Sequence, residues 1–323
     1  MDSRSKIVAL LLFGALIVPA IGCREKAPYP AQASVPVIEA AVQALEDANE
    51  ARDVRPADEP IASPPSILYK SFIINGGKSL AELNALYGDE GVSIILKVNR
   101  IDSRHARKGR TLVVPEETAG FMDLSPFPKE IESAGGITKL LLVSRRVQAF
   151  AAYESGKLIR WGPVSTGKKS TPTPTGLYFT NWKAKETRST VNSSWILPWC
   201  FNLDNFEGIS FHQYEMPGFP ASHGCVRLLD EDARWIYKWA DQWILAKSGQ
   251  LAAYGTPVFI FGDYDYKAQP PWKRLIDDPT ATTVPLSELE GLLNKHLLLI
   301  ESRAQARQTT LVALAQSSLH PSL

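Results

Sequence analysis

The chain is poor in the residues that would staple or coordinate a structure. Its 323 residues include three cysteines and five histidines. So few thiols exclude a disulfide-dense scaffold, and each cysteine has to be explained individually. Charge of one sign is also missing. The formal net charge is +1, which makes no electrostatic case for a nucleic-acid partner. A long apolar run is missing too: Ile7 to Ile21 spans 15 residues, short for a transmembrane helix. With Arg4 and Lys6 before it, that run reads instead as an export signal, removed or anchored at its end. The remaining composition, 45% hydrophobic, is that of globular domains, and the length suggests two of them with tails.

The chemistry concentrates between Gly208 and Arg227, which holds two of the histidines and one cysteine. Ile209 to His212 reads as a short buried strand. Met216 to Ala221 is a loop with Pro217, Gly218 and Pro220 as breakers. Asp230, Glu231 and Asp232 open a helix, acidic where the helix dipole prefers it. His212 therefore ends a strand, and Cys225 is expected in the loop just before a helix. Such a position lowers a thiol pKa and suits a thiolate nucleophile paired with an imidazole. Gly224 permits close backbone approach, and the amides of Gly224 and Cys225 are candidate oxyanion donors. Two other readings stand beside this one. Cys225 is equally a buried structural thiol by spacing alone, and two histidines with one cysteine are three of the four ligands of a structural zinc site.

Ser222-His223-Gly224-Cys225-Val226-Arg227, with the upstream Gly208-Ile209-x-x-His212, resembles the motif of the L,D-transpeptidase catalytic domain, the YkuD-like family. Val164 to Gly167 and Thr173 to Gly176 resemble the family's STG and TPTG segments, and Ile196 to Phe201 the strand before the first histidine. The resemblance runs over roughly 137–262. Only nine residues separate His212 from Ser222, fewer than in many members. It implies Cys225 as nucleophile, His212 as general base oriented by a backbone carbonyl at Gln213, and His223 in support. It further implies Ser222 and Arg227 at the substrate, no metal and no cofactor. The implied partner is peptidoglycan, with a two-step acyl transfer between stem peptides. Hydrolysis of the same thioester, by an L,D-endopeptidase, is the alternative within enzymes. A non-catalytic peptidoglycan-binding lipoprotein is the alternative outside them.

Along the chain, 1–23 is the signal segment. Ala20-Ile21-Gly22-Cys23 resembles a bacterial lipobox, with Ala20 where leucine is usual. That implies a lipid on Cys23, a membrane anchor, and a place in the periplasm or cell envelope. Residues 24–66 form a linker whose seven prolines favour reach over folding. Residues 67–115 read as a βααβ module: a strand at Tyr69 to Ile74, a helix from Ser79 ended by Gly88, a second from Ile94 to Asn99, and a returning strand at Gly109 to Pro115. It resembles a LysM carbohydrate-binding repeat, with Lys78 in place of the usual aspartate. Residues 116–136 are a second linker. From 137 to 262 the pattern is β-branched and alternating, with a hairpin turn at Ser155-Gly156-Lys157 and a polar loop at 181–194.

A helix is expected over 230–247. The fold class is thus mainly β, a sandwich or open barrel with one main helix, plus the small α+β module. Cys200 reads as a packing residue near the site, with a regulatory bridge to Cys225 as the other option. Residues 263–323 are a tail whose amphipathic stretch, Leu286 to Arg307, either packs back on a domain or meets a partner helix.

Overall fold

The computed structural model describes residues 67–76, 79–116, 120–189 and 191–319. The signal segment, the lipobox with Cys23, and the linker 24–66 lie outside these. The first described unit is a two-stranded sheet, β1 (Tyr69–Ile73) against β2 (Thr111–Pro115), antiparallel with Tyr69 opposite Pro115. Between them runs α1 (Ser79–Val98), broken into two helical segments at Gly88, whose φ of 68° and ψ of 176° no helix can accommodate. The βααβ order expected from the glycine and the capping pattern is therefore the observed one. Asn99 welds it together: its Nδ2 donates to the carbonyls of Ile95 and Val113, and its Oδ1 accepts from Val113 N–H at 2.9 Å.

Downstream lies a nine-stranded sheet curled into a half-barrel. In chain order its strands begin with β3 (Leu140–Ser144), β4 (Ala149–Glu154) and β5 (Lys157–Ser165), then β6 (Gly176–Phe179) and β7 (Lys183–Arg188). They continue with β8 (Ile196–Asp204), β9 (Ile209–Gln213) and β10 (Val226–Leu228). Helix α2 (Asp230–Trp239) follows, then a separate small ribbon of β11 (Ile244–Leu245) and β12 (Leu251–Ala253), and last β13 (Pro257–Phe261). Across the large sheet the order is β6-β13-β3-β4-β5-β10-β9-β8-β7. The β4–β5 hairpin turns at Ser155 and Gly156, with φ of 47° and 78°. Positive φ at both central residues matches the right-handed twist of the flanking strands.

Strands β3, β4 and β13 are buried at all but their end positions because both faces of the sheet are covered there. With a period of two, Leu140, Leu142, Ala149, Ala151, Phe259 and Phe261 point to one core. Leu141, Val143, Phe150, Ala152, Val258 and Ile260 point to the other. Helix α2 covers the second core through Ala233 and Ile236. It stops at Trp239, eight residues short of the expected end at 247. Lys183 Nζ captures the carbonyl of Tyr237 at 2.6 Å, and Asp241 N–H turns to Thr256 Oγ1, so tertiary partners replace the next helical turn. Trp243, expected on the helix face, is buried instead with Cys200 and Cys225.

The first core is covered from outside the strands. The module contributes Val98 and Val113, and the C-terminal segment contributes Trp272, Leu289, Leu293 and Ile300. The amphipathic stretch is two helices, α3 (Leu286–Asn294) and α4 (Leu297–Leu319), whose apolar face packs back on the sheet. Arg100 sits at this seam, its guanidinium over Trp161 and Trp272 and bonded to the carbonyls of Val147 and Val98. Burial lowers its pKa to about 9, so it stays charged at neutral pH. Among the described residues, no helix is long and apolar enough to cross a membrane.

One buried ion pair makes the fold pH-sensitive. Asp232 is 1% exposed, accepts from Arg160 Nε and Nη2 through Oδ1, and leaves Oδ2 without a hydrogen-bond partner. Burial, opposed by Arg160, raises its pKa to about 6. A carboxyl raised above its unfolded value favours the folded state most at acid pH, and that contribution fades as pH rises through 6. Arg160→Met strands the carboxylate, which should cost about 3–5 kcal/mol at pH 8. At pH 5, where Asp232 can hold a proton, the loss should be clearly smaller. Denaturant titrations at both pH values check this; equal losses would contradict it.

Candidate active site

The site is built by the pairing of two short strands. β9 and β10 run parallel, with Phe211 beside Val226, His212 beside Arg227 and Gln213 beside Leu228. Laterally paired residues share a face, and side chains alternate along each strand. Phe211, Val226 and Leu228 therefore enter the core beneath α2. His212 and Arg227 go to the opposite face, and so does Cys225, two residues before Arg227. These three, with Ser222 and His223, line one pocket. A three-residue strand thus stands between Cys225 and the helix that was expected to follow it directly.

Antiparallel β8 flanks β9 on its other side, with Phe201 opposite Phe211. That register, continued by one residue, sets Cys200 opposite His212. Cys200 and Cys225 lie in one buried cluster with no disulfide between them. Two strand spacings, about 9–10 Å, separate their strands. That exceeds the Cα distance a disulfide spans, so a bridge between them would require the backbone to move.

The loop carrying Cys225 is pinned from β5 and the polar turn after it. Ser222 N–H donates to Thr166 carbonyl and Lys168 N–H to Ser222 carbonyl, a short parallel bridge between Gly167 and Ser222. Ser165 Oγ accepts from Ala221 N–H and donates to Phe219 carbonyl. Gly167 has no room for a side chain: a Cβ there would lie 2.1 Å from Thr171 carbonyl oxygen. Ser222 lines the pocket, but its hydroxyl is engaged within the loop, donating to Cys225 carbonyl and accepting from Gly224 N–H at 3.2 Å. The Gly224 amide is thus occupied in this state. Gly224 itself has φ of 113° with open space around it, so conformation rather than crowding demands glycine.

His212 is 4% exposed, and its Nδ1 lies 2.9 Å from the Gln213 carbonyl oxygen. A carbonyl only accepts, so Nδ1 carries the proton and Nε2 is the lone-pair nitrogen. Cys225 is 7% exposed and its thiol donates to Gly208 carbonyl at 3.3 Å. His223 Nε2 lies 2.9 Å from Lys168 Nζ. Burial, then the charges of Lys168 and Arg227, depress its pKa, so it is neutral at neutral pH. Arg227 stacks on Tyr214 with its guanidinium 4.6 Å from the ring centre, and Tyr214 meets the His212 ring edge-on. Ser189, Val191 and Trp195 of the β7–β8 connection, with Leu197 of β8, wall the pocket. Part of the stretch expected as a polar covering loop, Lys183 to Arg188, is instead the edge strand β7. Among the described residues, no group of three His, Cys, Asp or Glu side chains is placed to hold a metal ion.

Sequence reasoning missed Lys168, Tyr214 and Trp195, and it missed the hold that the N-terminal module has on the site. Asp102 Oδ2 accepts from Met216 N–H, Asp102 N–H donates to Met216 carbonyl, and Arg110 donates to Pro217 carbonyl at 2.8 Å. Gly218, φ 87°, passes so close to Ile101 that a Cβ would lie 2.8 Å from its side chain. The breaker-rich loop between His212 and Cys225 is therefore fastened to the module.

Residues 138–260 match the YkuD family, the L,D-transpeptidase catalytic domain. The segment that forms most of the nine-stranded sheet is thus similar to an L,D-transpeptidase catalytic domain. Among solved structures, an L,D-transpeptidase from Mycobacterium smegmatis is 18% identical, over 39% of this chain and 59% of that one, with a TM-score of 0.32. One from Stackebrandtia nassauensis is 20% identical, over 69% and 91% of the two chains, at 0.34. The catalytic domain of an E. faecium L,D-transpeptidase is 20% identical, over 38% and 96%, at 0.30. The match thus spans less than two thirds of the mycobacterial protein's length. No curated protein matches.

Asp102 fastens the 215–218 loop without touching the pocket that holds Cys225. Asp102→Ala leaves Met216 N–H without that acceptor, which should lower stability by about 1–3 kcal/mol. Amide exchange should accelerate at 215–218. Unchanged exchange there would mean the module does not hold the loop.

Proposed function

We propose that this chain is a cysteine-dependent L,D-transpeptidase of peptidoglycan stem peptides. The observation that carries the reading is the shared sheet face of Cys225 and His212, with His212 Nδ1 tied to Gln213 and Nε2 left as a base. The family match over 138–260 supports the same chemistry. In the first half-reaction Cys225 Sγ attacks the carbonyl carbon of an L-centre joined to a D-residue, and His212 Nε2 takes the thiol proton. The amides of Gly224 and Cys225 stabilise the oxyanion, for which Gly224 N–H must exchange Ser222 Oγ for substrate. The C–N bond then breaks, the proton passes to the departing amine of the D-residue, and a thioester remains on Cys225. In the second half-reaction the amine of another stem attacks the thioester. His212 accepts its proton, a new amide forms and the thiol returns.

Arg227, half-buried at the pocket and charged, is the partner for a substrate carboxylate. Water in place of the second amine gives the endopeptidase alternative, and muropeptide products separate the two. The βααβ module is the candidate glycan-binding part, and Cys23 the candidate lipid anchor in the cell envelope.

Carbapenem acylation followed by intact mass tests the enzyme reading. Cys225→Ser should lose the adduct while keeping its fold, because a hydroxyl is a far weaker nucleophile than a thiolate. His212→Ala should slow acylation by ~10²–10⁴-fold, the range for losing a positioned acid–base group. His223→Ala should cost less. An adduct that persists in Cys225→Ser, or a folded His223→Ala slower than His212→Ala, would overturn these roles. For the module and anchor, the full-length protein should be retained on sacculi and displaced by N-acetylglucosamine oligomers. Cys23→Ser should move it from the membrane fraction to the soluble one. Failure of either result removes the corresponding role.

A further inference from the structure

We propose that Lys168 is a positioning residue that fixes His223 in its Nδ1–H tautomer, aiming a hydrogen-bond donor at an oxygen acceptor of the stem peptide bound in the Cys225 pocket. This rests on the transpeptidase reading and adds two residues to it in defined roles. Lysine ammonium has donors only, so at 2.9 Å from Lys168 Nζ the His223 Nε2 must accept. Its one remaining proton then sits on Nδ1. Nδ1 is buried and has no hydrogen-bond partner. A buried orphan donor is costly, and native structures keep few of them. His223 lines the same pocket as Cys225, with its ring 5.3 Å from that of Trp195, so a pocket ligand that shifts this wall can supply the partner the sealed donor lacks.

Lys168 is not a wandering surface side chain. Its amide bonds Ser222 carbonyl, its neighbour Gly167 bridges Ser222, and Tyr266 hydroxyl donates to Gly167 carbonyl at 2.8 Å. The turn from the STG segment therefore brings the ammonium to the histidine of the Ser-His-Gly-Cys loop. The charges facing His223 are those of Lys168 and Arg227, both cationic, and with burial they keep the imidazole neutral. An imidazolium would offer no acceptor to Lys168 and would break the pair.

The test is long-range proton–nitrogen NMR of the full chain with labelled histidine, assigned by comparison with His223→Gln, together with carbapenem acylation rates. Wild type should show His223 as the Nδ1–H tautomer. In Lys168→Met the tautomers should mix, the His223 pKa should rise toward its ordinary value, and acylation should slow about tenfold, the loss of one hydrogen bond. Lys168→Arg, which keeps a cationic donor, should restore most of both. A wild-type Nε2–H tautomer in a protein that still acylates Cys225 would overturn the proposal alone. So would a Lys168→Met variant with unchanged tautomer and rate. No acylation of Cys225 at all, whatever the tautomer, would overturn both the proposal and the transpeptidase reading beneath it.

Discussion

The parallel pairing of β9 with β10 is the constraint on which the site depends. Parallel neighbours cannot be joined by a tight turn, so the chain must leave β9, cross over and return beside it. The crossover here is the loop from 214 to 225, which carries Pro217, Gly218 and Pro220 and then the Ser-His-Gly-Cys segment. A slip of one residue in this register would send Cys225 into the core and bring Val226 to the pocket. Phe211, Val226 and Leu228, buried under α2, oppose that slip. The apolar half of each strand thus fixes where the reactive half points.

The same sheet cannot stand alone. Its central strands are apolar on both faces, and one of those faces is covered by segments outside the matched catalytic region. Val98 and Val113 come from the module, and Leu289, Leu293 and Ile300 from the C-terminal helices. The module also holds the 215–218 loop through Asp102 and Arg110. Module and nine-stranded sheet therefore share packing and both hold the loop between His212 and Cys225. Anything that strains the module is transmitted to that loop, which an independent spacer could not do.

Much of this was legible in the chain. The Ser155-Gly156 turn, the strand at Leu140 to Val143, the βααβ order and the convergence of His212 with Cys225 all follow from local pattern or motif, though that strand was expected to alternate and is buried on both faces. What was hidden was set by tertiary partners. β10 has three residues, too few for an alternation to register. β7 is charged because it is an edge strand, and charge there discourages pairing with other chains while erasing the apolar pattern that marks a strand. Helix α2 ends where Lys183, 54 residues before Tyr237, takes the carbonyls of Tyr237 and Ala240. Lys168 stood in plain view just after the STG segment, but only the Gly167–Ser222 bridge reveals which histidine it meets.

The central claim is that Cys225 carries the acyl group of a peptidoglycan stem. The most direct measurement is intact mass of the full chain after mixing with a soluble stem tetrapeptide muropeptide, followed by peptide mapping. The account predicts a covalent adduct equal to the stem lacking its terminal D-residue, mapped to Cys225 and released by hydroxylamine as a thioester would be. A folded protein that releases the D-residue without any adduct at Cys225, or that carries the adduct elsewhere, would contradict it.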